Sequence, residues 1–175
     1  MGTDLIGHIE YQHYKRPDGT LTWHPWANPF FGRNYVLFAL LAGVRSTDDI
    51  APVIAPRGFP NDLSPEVMHE FTLLVVNEVR NSNQCTHSEA EYYVAHGASR
   101  WVVGPENPYP RVSRLGLHTP SWLTTAELIV VQERFAAIKE DGQDHHVELD
   151  ATIAAMKTFD PELIGKARLM FWFLD

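Results

Sequence analysis

Strand patterns stand at both ends of this 175-residue chain, and that arrangement constrains the fold more than any internal motif. Near the start, Asp4, Ile6, His8 and Glu10 alternate with Leu5, Ile9 and Tyr11, the period of two expected of a strand with unlike faces. Arg16-Pro17-Asp18-Gly19 supplies a turn, because proline presets the first corner and glycine accepts positive φ. Residues 20–26 then return as a second strand, which Pro25 should end. At the other end, residues 167–174 mix aromatic and aliphatic side chains in the manner of a buried strand. Two strands at the start, one at the end and helices between them predict an α+β fold. The C-terminal strand pairs with the N-terminal hairpin in a small antiparallel or mixed sheet covered by helices. A doubly wound parallel sheet would need a regular strand-helix alternation that the chain lacks.

Between the ends, Asn34 stands where an N-cap belongs and the apolar run from Tyr35 closes at Gly43, which predicts a buried helix. Residues 51–61 form a proline-rich loop holding Arg57, too long for a simple connector. Ser64-Pro65 opens a helix whose apolar stripe, Val67, Phe71, Leu74 and Val75, is expected to run to Asn81. A short helix over 88–96, a strand over 100–103 and an extended loop over 107–114 follow. Thr124-Thr125-Ala126-Glu127 reads as a capping box, with Leu128, Val131, Phe135 and Ile138 at helical spacing behind it. A last amphipathic helix spans 149–158. No repeat or linker is visible, so residues 1–175 are expected to form a single domain.

Composition narrows the function classes. With 45% hydrophobic and 21% charged residues, the chain lies in the globular range. The longest apolar run, residues 35–44, is too short to span a bilayer, so no membrane partner is expected. The one cysteine, Cys85, allows no intrachain disulfide, and no leader pattern is read at the N-terminus; the expected compartment is the cytoplasm. A net charge of −8 opposes a long nucleic acid partner. Arg100, Arg111 and Arg114 nevertheless outnumber Glu106 between residues 98 and 118, whereas 139–162 is strongly acidic, which leaves a small anion as a ligand. Homo-oligomerisation is left open.

The chain has no phosphate loop, no Gly-x-Ser-x-Gly elbow, no His-Glu-x-x-His pair and no cysteine metal framework. Candidate chemistry rests instead on scattered polar residues. Asp4, His8 and Glu10 share a strand face and could bind a divalent metal or act as an acid-base set; the same residues also suit a solvated face. Arg33, Asn34 and Tyr35 stand at a helix entrance, where free N–H groups favour an anion, although capping alone accounts for Asn34. Arg57 carries the same two readings. His118 and Ser121 precede the capped helix and could hold a ligand there, while Trp122 reads as core. His145-His146 reads as a solvated loop and Cys85 as a bystander thiol.

Taken together, Met1-Gly2-Thr3-Asp4, Gly32-Arg33-Asn34-Tyr35, Pro56-Arg57-Gly58, His118 before Ser121-Trp122-Leu123-Thr124, and the terminal Arg168-Leu169 with Phe171-Trp172-Phe173 resemble a family of small hypothetical proteins of bacteriophages and actinobacteria. The family commonly has a histidine close behind its N-terminal Asp; here Leu5 follows Asp4 and His8 comes later. The resemblance implies that Asp4, Arg33, Asn34, Arg57, His118 and Ser121 belong to a shared site. Three functions follow as expectations. The first is a phage-type accessory protein that sequesters a small anionic, nucleotide-like molecule, a counter-defence role. The second is a hydrolase or phosphodiesterase using His8 or His118 as base, with Asp4 or Glu10 orienting it or binding a divalent metal. The third is an inhibitor that binds a host protein.

Overall fold

The structure, a computed structural model, describes residues 2–46, 50–76, 78, 81, 83–102, 110–138 and 146–175, with the side chains of residues 14, 101 and 102 outside that description. Glu106 and His145 therefore lie outside the described residues, as do residues 139–145 of the acidic stretch 139–162. The contacts divide the chain into two compact units, Met1–Phe59 with Thr119–Asp175, and Pro60–His118. No change in composition marks the boundaries of the second.

The first unit is built as the termini predict. Strand β1 (Asp4–Lys15) pairs antiparallel with β2 (Leu21–Ala27) on one side and with β8 (Ala167–Leu174) on the other. Strand β7 (Leu117–Thr124) flanks β8, giving the order β2-β1-β8-β7. Pro25 does not end β2. It lies opposite Glu10 beside a register irregularity in an edge strand, where the missing N–H costs no ladder bond to a further neighbour.

The register sets the two faces of this sheet. Leu5 and Ile9 of β1 and Ala167, Leu169, Phe171 and Phe173 of β8 point into one apolar core. Helices α1 (Tyr35–Ala42), α4 (Thr125–Ile138) and α5 (Val147–Phe159) cover that face with Leu37, Phe38, Leu41, Leu128, Val131, Phe135, Leu149, Ile153 and Met156. Their ends are fixed locally. The Asn34 side chain accepts from the Leu37 amide at 3.0 Å, and Gly43 closes α1 in the left-handed region at φ 70°. Thr124 and Glu127 complete the expected capping box of α4. His146 is an N-cap rather than a solvated residue: its ring accepts from the Leu149 amide and lies against Phe31 and Phe135.

The second unit departs further from the sequence expectation. Helix α2 (Pro65–Phe71) begins at the predicted Ser64 cap but stops ten residues early, and the chain continues as strand β3 (Thr72–Val75). The run Thr72-Leu73-Leu74-Val75 fits a buried strand as well as a helical stripe, and the Thr72 hydroxyl donates to the Met68 carbonyl where the helix ends. Strand β6 (Pro110–Ser113) replaces the expected loop and pairs antiparallel with β3 and with β5 (Arg100–Val102). The short β4 (Gln84–Cys85) runs parallel to β3 and leads into α3 (His87–Ala95), whose capping box joins Thr86 and Glu89. The order β4-β3-β6-β5 is thus a mixed sheet with its own small core of Leu73, Val75, Cys85, Ala90, Ala98 and Val112.

Candidate functional site

The second face of the first sheet is polar and aromatic, although much of it is buried. In β8, Arg168, Met170 and Trp172 alternate with the core residues and are at most 2% exposed. Opposite them in β1 the register places Glu10 beside Arg168, His8 beside Met170 and Ile6 beside Trp172. A lone arginine in a buried strand requires a carboxylate, and Glu10 provides it. The Nε atom of Arg168 donates to Glu10 Oε2 at 2.8 Å, and a second guanidinium nitrogen lies 2.8 Å from the same oxygen.

This ion pair is enclosed by tryptophans. The Arg168 guanidinium lies 3.7 Å from the ring centre of Trp23 on β2 and 6.0 Å from that of Trp122 on β7. Arg57, brought in by the proline-rich loop, lies 3.5 Å from the Trp122 ring centre. Two arginines and two tryptophans therefore form a ladder, in which each cation meets the negative π-face of an indole. Arg57 is further fixed by donating to the Trp122 carbonyl at 3.0 and 2.7 Å and to both carboxylate oxygens of Glu127 at 3.2 and 2.7 Å. Burial by itself would raise the Glu127 carboxyl, but the hydrogen bonds from Arg57 and from the Thr124 amide outweigh it and hold the group below the usual carboxylate range. Trp122 is accordingly a cation platform as well as a packed residue. His8 stacks on Trp172 at 5.3 Å, and Phe59 meets the same indole edge-on at 5.4 Å.

At the far end of β1, Asp4 and Arg33 form an exposed bidentate pair. The Arg33 Nε donates to one carboxylate oxygen at 2.6 Å and a terminal nitrogen donates to the other at 3.1 Å. These hydrogen bonds hold the Asp4 carboxyl below its ordinary value. More than half of the Arg33 side chain remains exposed, and Tyr35 beside it is 40% exposed. The first turn of α1 carries no acidic residue.

The structure thus sorts the expected site residues into groups. Arg33 meets Asp4, and Asn34 is engaged as the cap of α1. Arg57 meets Ser121, whose hydroxyl accepts from the Arg57 amide at 3.4 Å. His118 belongs to the second unit. The acid-base and metal set of Asp4, His8 and Glu10 is not assembled. A strand rises about 3.3 Å per residue, so Asp4 and His8 stand roughly 13 Å apart along β1. Glu10 is held by Arg168 and Asp4 by Arg33. Among the described residues no group of three or more His, Cys, Asp or Glu could hold a metal ion. Sequence reasoning passed over Trp23, Arg168 and Trp172 as site residues. The available signal was Arg168 itself, a charge inside an otherwise apolar strand pattern, with Glu10 as a polar residue on the strand expected to pair with it.

Compared with family models, with curated proteins and with solved structures, the chain matches none. No helix among the described residues is long and apolar enough to cross a membrane.

Proposed function

We propose that this protein binds a small anionic, nucleotide-like molecule and retains it without transforming it, as an accessory protein of the phage type with a counter-defence role. The observation that carries this reading is the entrance to α1. Arg33 is extensively exposed, its Nε and one terminal nitrogen are aligned by Asp4, and among the described residues its remaining N–H groups meet no other acceptor, which leaves a fork for phosphate. Backbone N–H groups of an acid-free helical turn add positive potential at the same place. The exposed Tyr35 ring next to it offers a surface on which a base can stack. Capture requires only these groups, whereas hydrolysis requires a base and an orienting carboxylate in reach of each other, and the carboxylates of β1 are already engaged by arginines.

Isothermal calorimetry against cyclic and linear nucleotides tests the proposal. Binding by the wild type, its loss in Arg33→Glu and recovery of intact ligand after long incubation are the expected results. No heat across the panel overturns it, and turnover of a bound nucleotide moves the protein to the hydrolase reading. A second reading, capture of a host protein, has an observation of its own: Phe30 is 75% and Trp26 53% exposed, large apolar surfaces of the kind that anchor interfaces. Pull-down with Phe30→Ser/Trp26→Ser as the control separates it, because a partner lost by that variant but kept by Arg33→Glu belongs to this surface.

A further inference from the structure

We propose that His13 and His24 form a surface site for one late transition-metal ion, Zn2+, Ni2+ or Cu2+, with an imidazole from each of two paired strands as ligands and solvent completing the coordination. The site is apart from the anion locus and owes its geometry to an irregularity in the hairpin. Gln12 pairs with Trp23 and Tyr14 with Thr22, so His13 is the extra residue of a bulge in β1. Bulges redirect a side chain relative to regular pairing. Here the result is that His13 lies beside His24, with ring centres 6.1 Å apart and nearly perpendicular.

Both imidazoles are exposed, so neither must leave a packed environment to bind. Ladder pairs fix His24 and both neighbours of His13, Gln12 and Tyr14, and Tyr11 lies within ring-contact range of both histidines, 5.6 Å from His13 and 6.3 Å from His24. Only terminal side-chain rotations remain to be ordered on binding. With a metal–nitrogen distance of about 2.1 Å and tetrahedral angles, two coordinated imidazole centres stand roughly 5 Å apart. The rings therefore need to close by about 1 Å, within reach of rotation at exposed χ angles. The Thr22 hydroxyl lies 3.1 Å from His24 Nε2, which orients that ring through one nitrogen and leaves Nδ1 as the alternative donor. A pair of imidazole nitrogens favours zinc, nickel and copper over magnesium and calcium. Because a bound ion ties β1 to β2, it stabilises the folded hairpin by mass action.

The test uses the full chain and the metal salts alone. Thermal denaturation of the wild type with and without Zn2+ or Ni2+ should show a metal-dependent rise in Tm, absent with Mg2+. The rise should be lost in His13→Ala and in His24→Ala and kept in His69→Ala, an exposed histidine elsewhere. NMR with substoichiometric Cu2+ supplies a readout that needs no variant: the imidazole signals of His13 and His24 should broaden before those of other histidines. No rise in the wild type, an equal rise in both variants, or first broadening at other histidines each overturns the site.

Discussion

At the scale of single residues, the pair formed by Glu10 and Arg168 has the largest energetic consequence. Both residues are at most 2% exposed, so each charge has given up its hydration and is compensated by the other, with Trp23 covering the guanidinium. Removing one partner takes the counter-charge away from a buried ion, a loss of about 3–5 kcal/mol, whereas removing both charges in favour of apolar groups of similar volume is far milder. Arg168→Met and Glu10→Leu should each lower stability by that amount, and the double variant by much less than the sum. Urea denaturation in a double-mutant cycle measures it; additive losses would show that the two groups are energetically independent. The residue scale also shows why the site was only partly legible. Arg33 and Arg57 stand out in sequence as unexplained cations near loops, yet their carboxylate partners, Asp4 and Glu127, are 29 and 70 positions away. Glu127 in particular has a complete local explanation as a capping residue, which hides its second role as the anchor of Arg57.

At the scale of elements, what was legible followed from end signals and what was missed followed from tertiary pairing. The boundaries of α1, α4 and β8 are set by Asn34, Gly43, the Thr124–Glu127 box and an eight-residue alternation, all local and all readable. The stop of α2 at Phe71 is set by the pairing of β3 with β6, whose residues lie some forty positions further on, so no local pattern could announce it. Asn34 shows how an element-level role separates from a ligand-level one. Its side chain accepts from the Leu37 amide and so satisfies an N–H at the start of α1. Asn34→Ala should therefore cost about 1 kcal/mol, while Asn34→Asp, which keeps the cap and adds charge favourable to the helix dipole, should stay within a few tenths. Thermal denaturation compares them. Nucleotide calorimetry on the same Asp variant carries a different expectation, weaker binding, because the added carboxylate opposes an anion at Arg33.

At the scale of the molecule, the two units differ in how they are closed and in how much they bury. The first is assembled from both ends of the chain: β1 and β8, separated by more than 150 residues, pair over eight positions, and the apolar core beneath them draws on α1, α4 and α5 as well. The second is continuous in sequence, and its core consists of a few residues from short strands and α3. Since local opening free energy follows the apolar burial and ladder bonding that opening must disrupt, protection against amide exchange should be unequal. Hydrogen exchange followed by mass spectrometry should find peptides of β1 and β8 exchanging last, near the rate of global unfolding. Peptides covering β3, α3 and β6 should exchange earlier and together, as one cooperative unit. Destabilising the first core, by Phe171→Ala for example, should then accelerate exchange in β1 and β8 together, because neither strand can open without exposing the shared core. Equal protection in both units would mean that they unfold as one body, and independent exchange of β1 and β8 would contradict a single closure formed by the two ends of the chain.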